Sequence, residues 1–237
     1  MQRAYEKADA IESTISAKFL PLWGEYKPFA RMESGVVVYN ESMETDLIEL
    51  ARTHKAESFV GTLIGSEPFL WAVQGQSRPF DVILPFAPDL PRVAGSVLLP
   101  YGMLRKMAVD AISNTLKFCD RLKRLSGLPV YQLLPPPPVV SEGYVMKHAP
   151  AGLRDAMRRF GVPHPMIRNK LWRLWVDVAC DLASGDDVVV IHPPPGTTDS
   201  HGFLLEKYCA DAVHANEHYA QLVWRDLPSH IAGGRTQ

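Results

Sequence analysis

Short apolar runs alternate with longer segments of helical periodicity along this chain, and this alternation is what most restricts the fold. The runs predicted as strands are residues 35–39, 59–64, 82–84, 130–134 and 187–191. Helical patterns are present at residues 1–16, 44–54, 103–125, 151–160, 165–183 and 214–226. Because strands that alternate with helices are typical of βαβ units, we expect one parallel sheet covered by helices on both faces, a three-layer α/β fold.

Details of the strands and their flanks support this prediction. The runs GVVVY at residues 35–39 and VVVI at residues 188–191 lack polar alternation, as do strands buried on both faces of a sheet. Residues 17–33 contain two prolines and a glycine and are predicted to be a loop. Four prolines, residues 135–138, follow the strand at 130–134 directly and hold the next loop in a stiff polyproline path. With no repeat or linker in the sequence, we expect a single domain over residues 1–237.

Composition excludes several classes of protein. The chain has 237 residues, of which 46% are apolar and 22% charged, and a net charge of −1, which argues against nucleic acid or an anionic membrane as its partner. Cys119, Cys180 and Cys209 are odd in number and lack the spacing of metal ligands, so we expect reduced thiols. No run of 18 apolar residues predicts a membrane span, and the charged first residues are unlike a signal peptide. We therefore expect a cytoplasmic protein.

The sequence Asp211-Ala-Val-His214-Ala-Asn216 carries the clearest chemical signal. A carboxylate three residues before a histidine can fold back within one turn and accept a hydrogen bond from the imidazole Nδ1–H. This fixes the tautomer and leaves Nε2 as a general base toward a nucleophile. The alternative is an ordinary helix start, with Asp211 near the first turn and His214 on the surface.

Several segments resemble the SGNH/GDSL-type hydrolase family, and in particular a bacterial subfamily of it. DAVHANEHYAQLVWRDL, at residues 211–227, resembles the C-terminal block of that family, in which Asp-x-x-His is followed by a small residue, Asn and a Tyr-containing helix. The other segments are PFDVILPFAPDLP, LLPPPP, RNKLWRLW and HGFLLEKYCADAVHAN. Together they span about residues 60–227, and their order and spacing carry the resemblance.

The resemblance implies a flavodoxin-like parallel sheet with the active site at the carboxyl ends of its strands. It implies that His214 is the catalytic base and Asp211 its orienting partner in a serine esterase or acyl-hydrolase that needs no metal or organic cofactor. The substrate would be a small-molecule or carbohydrate ester. The nucleophilic serine would follow the first strand, at a helix N-terminus where backbone N–H groups stabilise an oxyanion.

The sequence departs from the family at that point. It shows no first strand and no Gly-x-Ser ahead of its first helix, and Ser13 and Ser16 lie within or at the end of that helix. We therefore expect the nucleophile upstream of Met1, because the start is misassigned or the chain shortened. The alternative is a catalytically inactive relative that binds a ligand or partner. A sheet that lacks its central first strand would have unpaired backbone groups, so we expect the chain to be destabilised, to aggregate, or to close the gap by forming a homo-oligomer or by shifting strands.

A second departure lies at Gly65-Ser66-Glu67, where the family has Gly-x-Asn or Gly-Asn. By the same resemblance, Gly65 and Ser66 are assigned to the oxyanion hole, with the Ser66 hydroxyl as a donor of shorter reach than asparagine. A plain strand-to-helix turn is the alternative.

Other residue sets support weaker hypotheses. His214 and His218 have the spacing of metal ligands on one helix face, and with Asp211 they would form the site of a metal-dependent hydrolase. This alternative is less favoured, because the catalytic Glu of such motifs would be out of register here. His192 follows a strand and is interpreted as a structural histidine. The remaining candidates are aromatic residues for a pocket or the core, and arginines of a solvated helix face: Phe69, Trp71, Tyr144, Trp172, Arg154, Arg158 and Arg159.

Overall fold

The computed structural model describes residues 30–33, 36–62, 78–149, 151–185 and 188–233. Its strands are β1 (Ala30–Glu33), β2 (Val36–Tyr39), β3 (Phe59–Gly61), β4 (Phe80–Asp81), β5 (Val97–Leu98), β6 (Val130–Leu133) and β7 (Val189–Ile191). Its α-helices are α1 (Glu41–Thr53), α2 (Tyr101–Ser126), α3 (Glu142–Lys147), α4 (Ala151–Phe160), α5 (Pro165–Gly185) and α6 (Glu217–Gly233). A short 3-10 helix covers Glu206–Tyr208.

A parallel sheet of order β3-β6-β7 forms the centre of the described fold. Its middle strand, β6, is buried along its whole length, and its residues alternate between two hydrophobic clusters. Val130, and Leu134 directly after the strand, belong to one cluster, whereas Tyr131 and Leu133 belong to the other. Because successive side chains of a strand point to opposite faces, the two clusters lie on the two faces of the sheet.

Helices cover both faces. On the Val130 face, α2 and α5 contribute the apolar residues Leu104, Ala108, Ile112, Leu116, Cys119, Ile167, Leu171, Leu174, Trp175, Val178, Ala179 and Ala183. On the Tyr131 face, α6 contributes Tyr219, Ala220, Val223, Trp224 and Leu227. The chain therefore has the mixed α/β architecture, with a parallel sheet between helical layers, that the strand and helix pattern predicts.

The first pair of strands differs from the prediction. Residues 30–33, expected in a loop, form β1, which pairs antiparallel with β2, from Ala30 opposite Tyr39 to Glu33 opposite Val36. The apolar run at residues 35–39 is predicted to lie in the parallel sheet, but its described part, residues 36–39, lies in this separate hairpin. The ring of Tyr39 packs on Phe118 of α2, so one end of the hairpin is attached to the core.

Several predicted boundaries also need correction. The segment at residues 82–84 is not a strand; β4 ends at Asp81, and Leu84 makes only an isolated bridge to Ala87. In β7 the apolar run is not buried throughout, since Val189 is 36% exposed. The last helix begins at Glu217 and not at His214. The long helix α2 agrees with its prediction and ends at Ser126, where it is capped by Gly127, whose φ of 72° is the left-handed conformation that favours glycine.

A buried ion pair joins β4 to α5. The Nζ of Lys170 lies 2.8 Å from Oδ1 of Asp81, and both side chains are 1% exposed. The Asp81 carboxylate also accepts hydrogen bonds from the backbone N–H groups of Val82 and Val93. Burial acts to raise the pKa of Asp81, but the hydrogen bonds and the Lys170 charge outweigh it, and the pKa lies below its usual value.

No helix in the described part of the chain is both long and apolar enough to cross a membrane.

Candidate functional site

Loops that follow β6 and β7 meet the segment before α6, and the candidate site is built there. After β6 the chain runs through four prolines to Val139, which forms a parallel bridge with Leu204. The backbone N–H of Leu204 donates to the carbonyl oxygen of Pro138. After β7, Thr198 forms an antiparallel bridge with the same Leu204. The carboxyl ends of two neighbouring parallel strands are thus connected to the segment that leads to Asp211 and His214.

Asp211 and His214 are in direct contact. Nδ1 of His214 lies 2.8 Å from Oδ2 of Asp211. The other carboxylate oxygen, Oδ1, accepts hydrogen bonds from the backbone N–H groups of Val213, at 2.8 Å, and of His214, at 2.9 Å. The predicted turn is therefore present, and the carboxylate is held by its own loop at one oxygen while it orients the imidazole with the other.

This arrangement defines the chemistry that His214 can perform. A carboxylate next to Nδ1 keeps the proton on that nitrogen, so Nε2 of the neutral ring carries a lone pair. Nε2 makes no hydrogen bond to any described residue. The side chains of His214 and Asp211 are 37% and 34% exposed, so solvent reaches the pair.

The carboxyl group of Asp211 stays ionised at neutral pH. Its partial burial acts to raise the pKa, but the hydrogen bond with the His214 ring and the two backbone donors outweigh burial, so the pKa is below its usual value. The Asp211 carboxylate therefore carries a negative charge in direct contact with the His214 imidazole.

The surrounding loop is closed by its own backbone. Cys209 and Ala215 form an antiparallel bridge, and the N–H of Ala210 donates to the carbonyl oxygen of His214 at 2.8 Å. The N–H of Asn216 donates to the carbonyl oxygen of Tyr208 at 2.8 Å. Asp211 and His214 thus lie at the tip of a short hydrogen-bonded loop that ends where α6 begins.

Helix α3 packs beside this loop. The hydroxyl of Tyr144 donates to the carbonyl oxygen of Cys209 at 3.4 Å, and the N–H of Ala212 donates to the carbonyl oxygen of His148 at 3.4 Å. The rings of Tyr144 and His148 are in contact, with their centroids 4.0 Å apart. Burial and the nearby negative charges, Asp211 among them, raise the pKa of Tyr144. Tyr144, predicted as a pocket or core aromatic, thus lies next to the Asp211 loop.

The thiol of Cys209 lies in the same loop. Burial, together with the charges of Glu206 and Asp211, raises the pKa of Cys209 to about 12. A thiol with this pKa is protonated at neutral pH and is a poor nucleophile.

The first half of α5 donates hydrogen bonds to the loops that follow β6 and β7. Arg168 is 1% exposed, and its guanidinium donates to the carbonyl oxygens of Pro163, Val139 and Val140. Burial lowers the pKa of Arg168 to about 10. The indole N–H of Trp172 donates to the carbonyl oxygen of Pro135 at 3.0 Å. Trp172, another candidate pocket aromatic, therefore holds the proline loop.

The same helix also reaches the segment that follows β7. Arg173 donates to the carbonyl oxygen of His201 at 3.2 Å, and it is itself held by Asn169, whose Oδ1 accepts from its Nε at 2.7 Å. The sequence RNKLWRLW thus supplies donors to both loops as well as the lysine of the buried ion pair.

The premise of the metal hypothesis is not met in the structure. His214 lies in the loop before α6 and His218 within that helix, so the two do not share a helix face. Within the ranges that the structure describes, no group of three or more His, Cys, Asp or Glu side chains could hold a metal ion.

The other predicted residues lie away from this pair or outside the described chain. Nε2 of His192 is 3.7 Å from Sγ of Cys180, beyond the end of β7. The arginines of α4 are exposed, as predicted: Arg154, Arg158 and Arg159. Residues predicted as candidates that fall outside the described ranges are Ser13, Ser16, Gly65, Ser66, Phe69 and Trp71.

Two supporting residues were missed by the sequence reasoning. Asn216 was noted only as part of a motif, although an asparagine directly before a helix is a typical N-cap and marks where α6 starts. Arg168 was quoted within RNKLWRLW without a role, and its burial follows from its position among the apolar residues Ile167 and Leu171 on the inner face of α5.

Comparisons with known proteins add little to this geometry. No protein-family model matches the sequence, and no curated protein matches it. One solved structure that it resembles is described as that of a candidate platelet activating factor from Streptococcus pneumonia. The two chains are 14% identical and superpose with a TM-score of 0.40, over 81% of this chain and 99% of the other.

Proposed function

We propose that this chain is a serine ester hydrolase of the SGNH type, in which His214 is the general base and Asp211 orients it. The observation that carries the proposal is the 2.8 Å contact between Nδ1 of His214 and Oδ2 of Asp211, in a loop that fixes the carboxylate at its other oxygen. The nucleophile is a serine outside the described residues.

In this mechanism Nε2 of His214 removes the proton of the serine hydroxyl as its oxygen attacks the ester carbonyl carbon. Asp211 stabilises the imidazolium that forms. When the tetrahedral intermediate collapses, the bond to the leaving alkoxide breaks, and His214 returns the proton to it. A water molecule, deprotonated by the same nitrogen, then attacks the acyl carbonyl carbon of the acyl-enzyme. When this second intermediate collapses, the bond to the serine oxygen breaks, the acid leaves, and His214 returns the proton to the serine.

Three features support this proposal besides the contact itself. The pair lies beside loops that follow the carboxyl ends of parallel strands, where open α/β sheets have their ligand sites. The carboxylate is ionised at neutral pH, because its pKa is lowered. The imidazole is partly exposed, so an ester can approach Nε2. A small-molecule or carbohydrate ester is the proposed substrate class, and the reaction needs no metal or organic cofactor.

The experiment is hydrolysis of short-chain p-nitrophenyl esters by the chain of 237 residues and by a form extended upstream to the next in-frame start. His214→Ala should abolish turnover. His218→Ala is the matched control, since it removes an exposed histidine four residues further along and should leave turnover unchanged. Asp211→Asn should lower kcat by about 10⁴-fold, because an amide favours the wrong tautomer. Asp155→Asn, at a carboxylate that is 96% exposed, controls for the loss of charge.

Labelling with a fluorophosphonate identifies the nucleophile. Peptide mapping of the labelled chain should give one serine, and His214→Ala should block the labelling. If neither form of the chain hydrolyses esters or reacts with the probe, the proposed hydrolase function is wrong. A non-catalytic relative that binds a ligand or partner beside the Asp211–His214 loop would then be favoured.

A further inference from the structure

The side chain of Asn216 uses both ends of its amide at once. Its Oδ1 accepts a hydrogen bond from the backbone N–H of Tyr219, at 3.2 Å, which caps the start of α6. Its Nδ2 donates to the carbonyl oxygen of Lys207 at 2.8 Å and to that of Cys209 at 3.4 Å. One side chain therefore joins the beginning of α6 to the strand of chain that enters the Asp211 loop.

Asp211 and His214 lie between the two points that Asn216 joins. The entering side of the loop is held at Lys207 and Cys209, and the leaving side is Asn216 itself, two residues after His214. The carbonyl oxygen of Cys209 accepts from Tyr144 as well, so the same attachment connects the loop to α3. If the Nδ2 contacts were lost, the entering side would keep its backbone bonds but lose the two hydrogen bonds that the Asn216 amide donates to it from the start of α6.

We propose that Asn216 is a positioning residue, which holds the Asp211–His214 loop closed so that Nδ1 of His214 stays within hydrogen-bond distance of the Asp211 carboxylate. This inference rests on the proposed function for its catalytic consequence, although its structural part does not depend on hydrolysis. An amide is needed because the position requires an acceptor for the helix and two donors for the loop. A carboxylate has no donor, and a hydroxyl has one and a shorter reach.

The test is Asn216→Asp, which keeps the acceptor that caps α6 but removes both donors. Asn40→Asp is the matched control, because Asn40 caps α1 by accepting from Met43 N–H at 3.2 Å, far along the chain from the site. Asp is as good a cap as Asn, so both variants keep their helices. Asn216→Ser is a second variant that retains a capping oxygen without adding charge.

Two measurements are made on each variant. Proton NMR follows the His214 Nδ1–H resonance, assigned by its disappearance in His214→Ala, and ester hydrolysis gives kcat and KM. We expect Asn216→Asp and Asn216→Ser to broaden or lose the resonance and to lower kcat by about 10- to 100-fold, with KM within about twofold, since a displacement near 1 Å in a catalytic group costs about 100-fold. Asn40→Asp should change neither.

A His214 resonance that stays sharp and unshifted in both Asn216 variants would overturn the inference. The same holds if kcat falls equally in Asn40→Asp, since a general loss of stability would then explain the effect. If neither the 237-residue chain nor its upstream-extended form hydrolyses an ester, the proposed function fails, while the NMR comparison still decides the role of Asn216.

Discussion

Replacement of Lys170 by methionine tests how much the buried ion pair contributes to the fold. Methionine fills a similar volume but has no charge, so the Asp81 carboxylate would keep only its two backbone donors inside a region where it is 1% exposed. Removing one partner of a buried pair costs about 3–5 kcal/mol, because the remaining charge is left without its counter-ion. Since whole domains are stable by about 5–15 kcal/mol, this loss is large.

The free energy of unfolding is measured by urea denaturation, followed by tryptophan fluorescence, and the melting temperature by circular dichroism. For a chain of this size a loss of 3–5 kcal/mol lowers Tm by about 6–20 °C. Lys106→Met is the matched control, since Lys106 pairs with Asp110 at 2.6 Å with both side chains well exposed, 73% and 63%. That pair should contribute only about 0.3–0.5 kcal/mol.

A double variant separates the pair from its surroundings. Asp81→Asn combined with Lys170→Met removes both charges, so it should be less destabilised than the sum of the single variants. Equal costs for Lys170→Met and Lys106→Met would refute the reasoning, because burial would then make no difference to the pair.

Three further predictions concern the site and its supports. Gly61→Ala should destabilise the chain by about 1–3 kcal/mol, because its Cβ would lie 2.1 Å from Nε2 of the buried Gln132. The control is Gly102→Ala, whose Cβ would meet no atom within 4 Å, so this change should be neutral or stabilising by up to about 1 kcal/mol. Urea titration measures the free energy of unfolding of both variants. Arg168→Lys should cost about 2–3 kcal/mol in the same assay, since an ammonium cannot reach three carbonyl oxygens as the guanidinium does. The pKa of Asp211 is lower in the folded chain than in the unfolded chain. The Asp211 carboxylate therefore stabilises the fold fully when the pH is above the ordinary pKa of aspartate, and this stabilisation is lost as the pH falls through the pKa of the folded state. Asp211→Asn should therefore narrow the difference between urea midpoints at about pH 6 and about pH 3, and an unchanged difference would contradict this.

Local sequence signals predicted the long helices and the central strands well. Helix α2 follows from its apolar periodicity and from Gly127, whose positive φ ends it. Strand β6 follows from an apolar run bounded by Pro129 and Pro135. In contrast, β1 was missed, because four residues carry little periodicity of their own and become a strand only through pairing with β2.

The candidate site divides in the same way. The contact between Asp211 and His214 was predictable, because residues three apart meet within one turn. The start of α6 at Glu217 was misplaced by three residues, since the apolar pattern continues backward through Ala215 while the capping asparagine stops the helix. The donors of α5 that hold the strand-end loops were not predictable, because their acceptors are some 30 residues away along the chain and are chosen only by the packed fold.

The four prolines after β6 have one more consequence, for experiments on motion. Proline has no amide proton, so residues 135–138 are silent in hydrogen-exchange measurements. Every hydrogen bond that the structure shows to this loop is donated from elsewhere, by the Trp172 indole to Pro135 and by the Leu204 amide to Pro138. Exchange of the Leu204 amide and the Trp172 indole protons therefore reports each opening of the loop, and the two rates together tell whether it detaches as one piece.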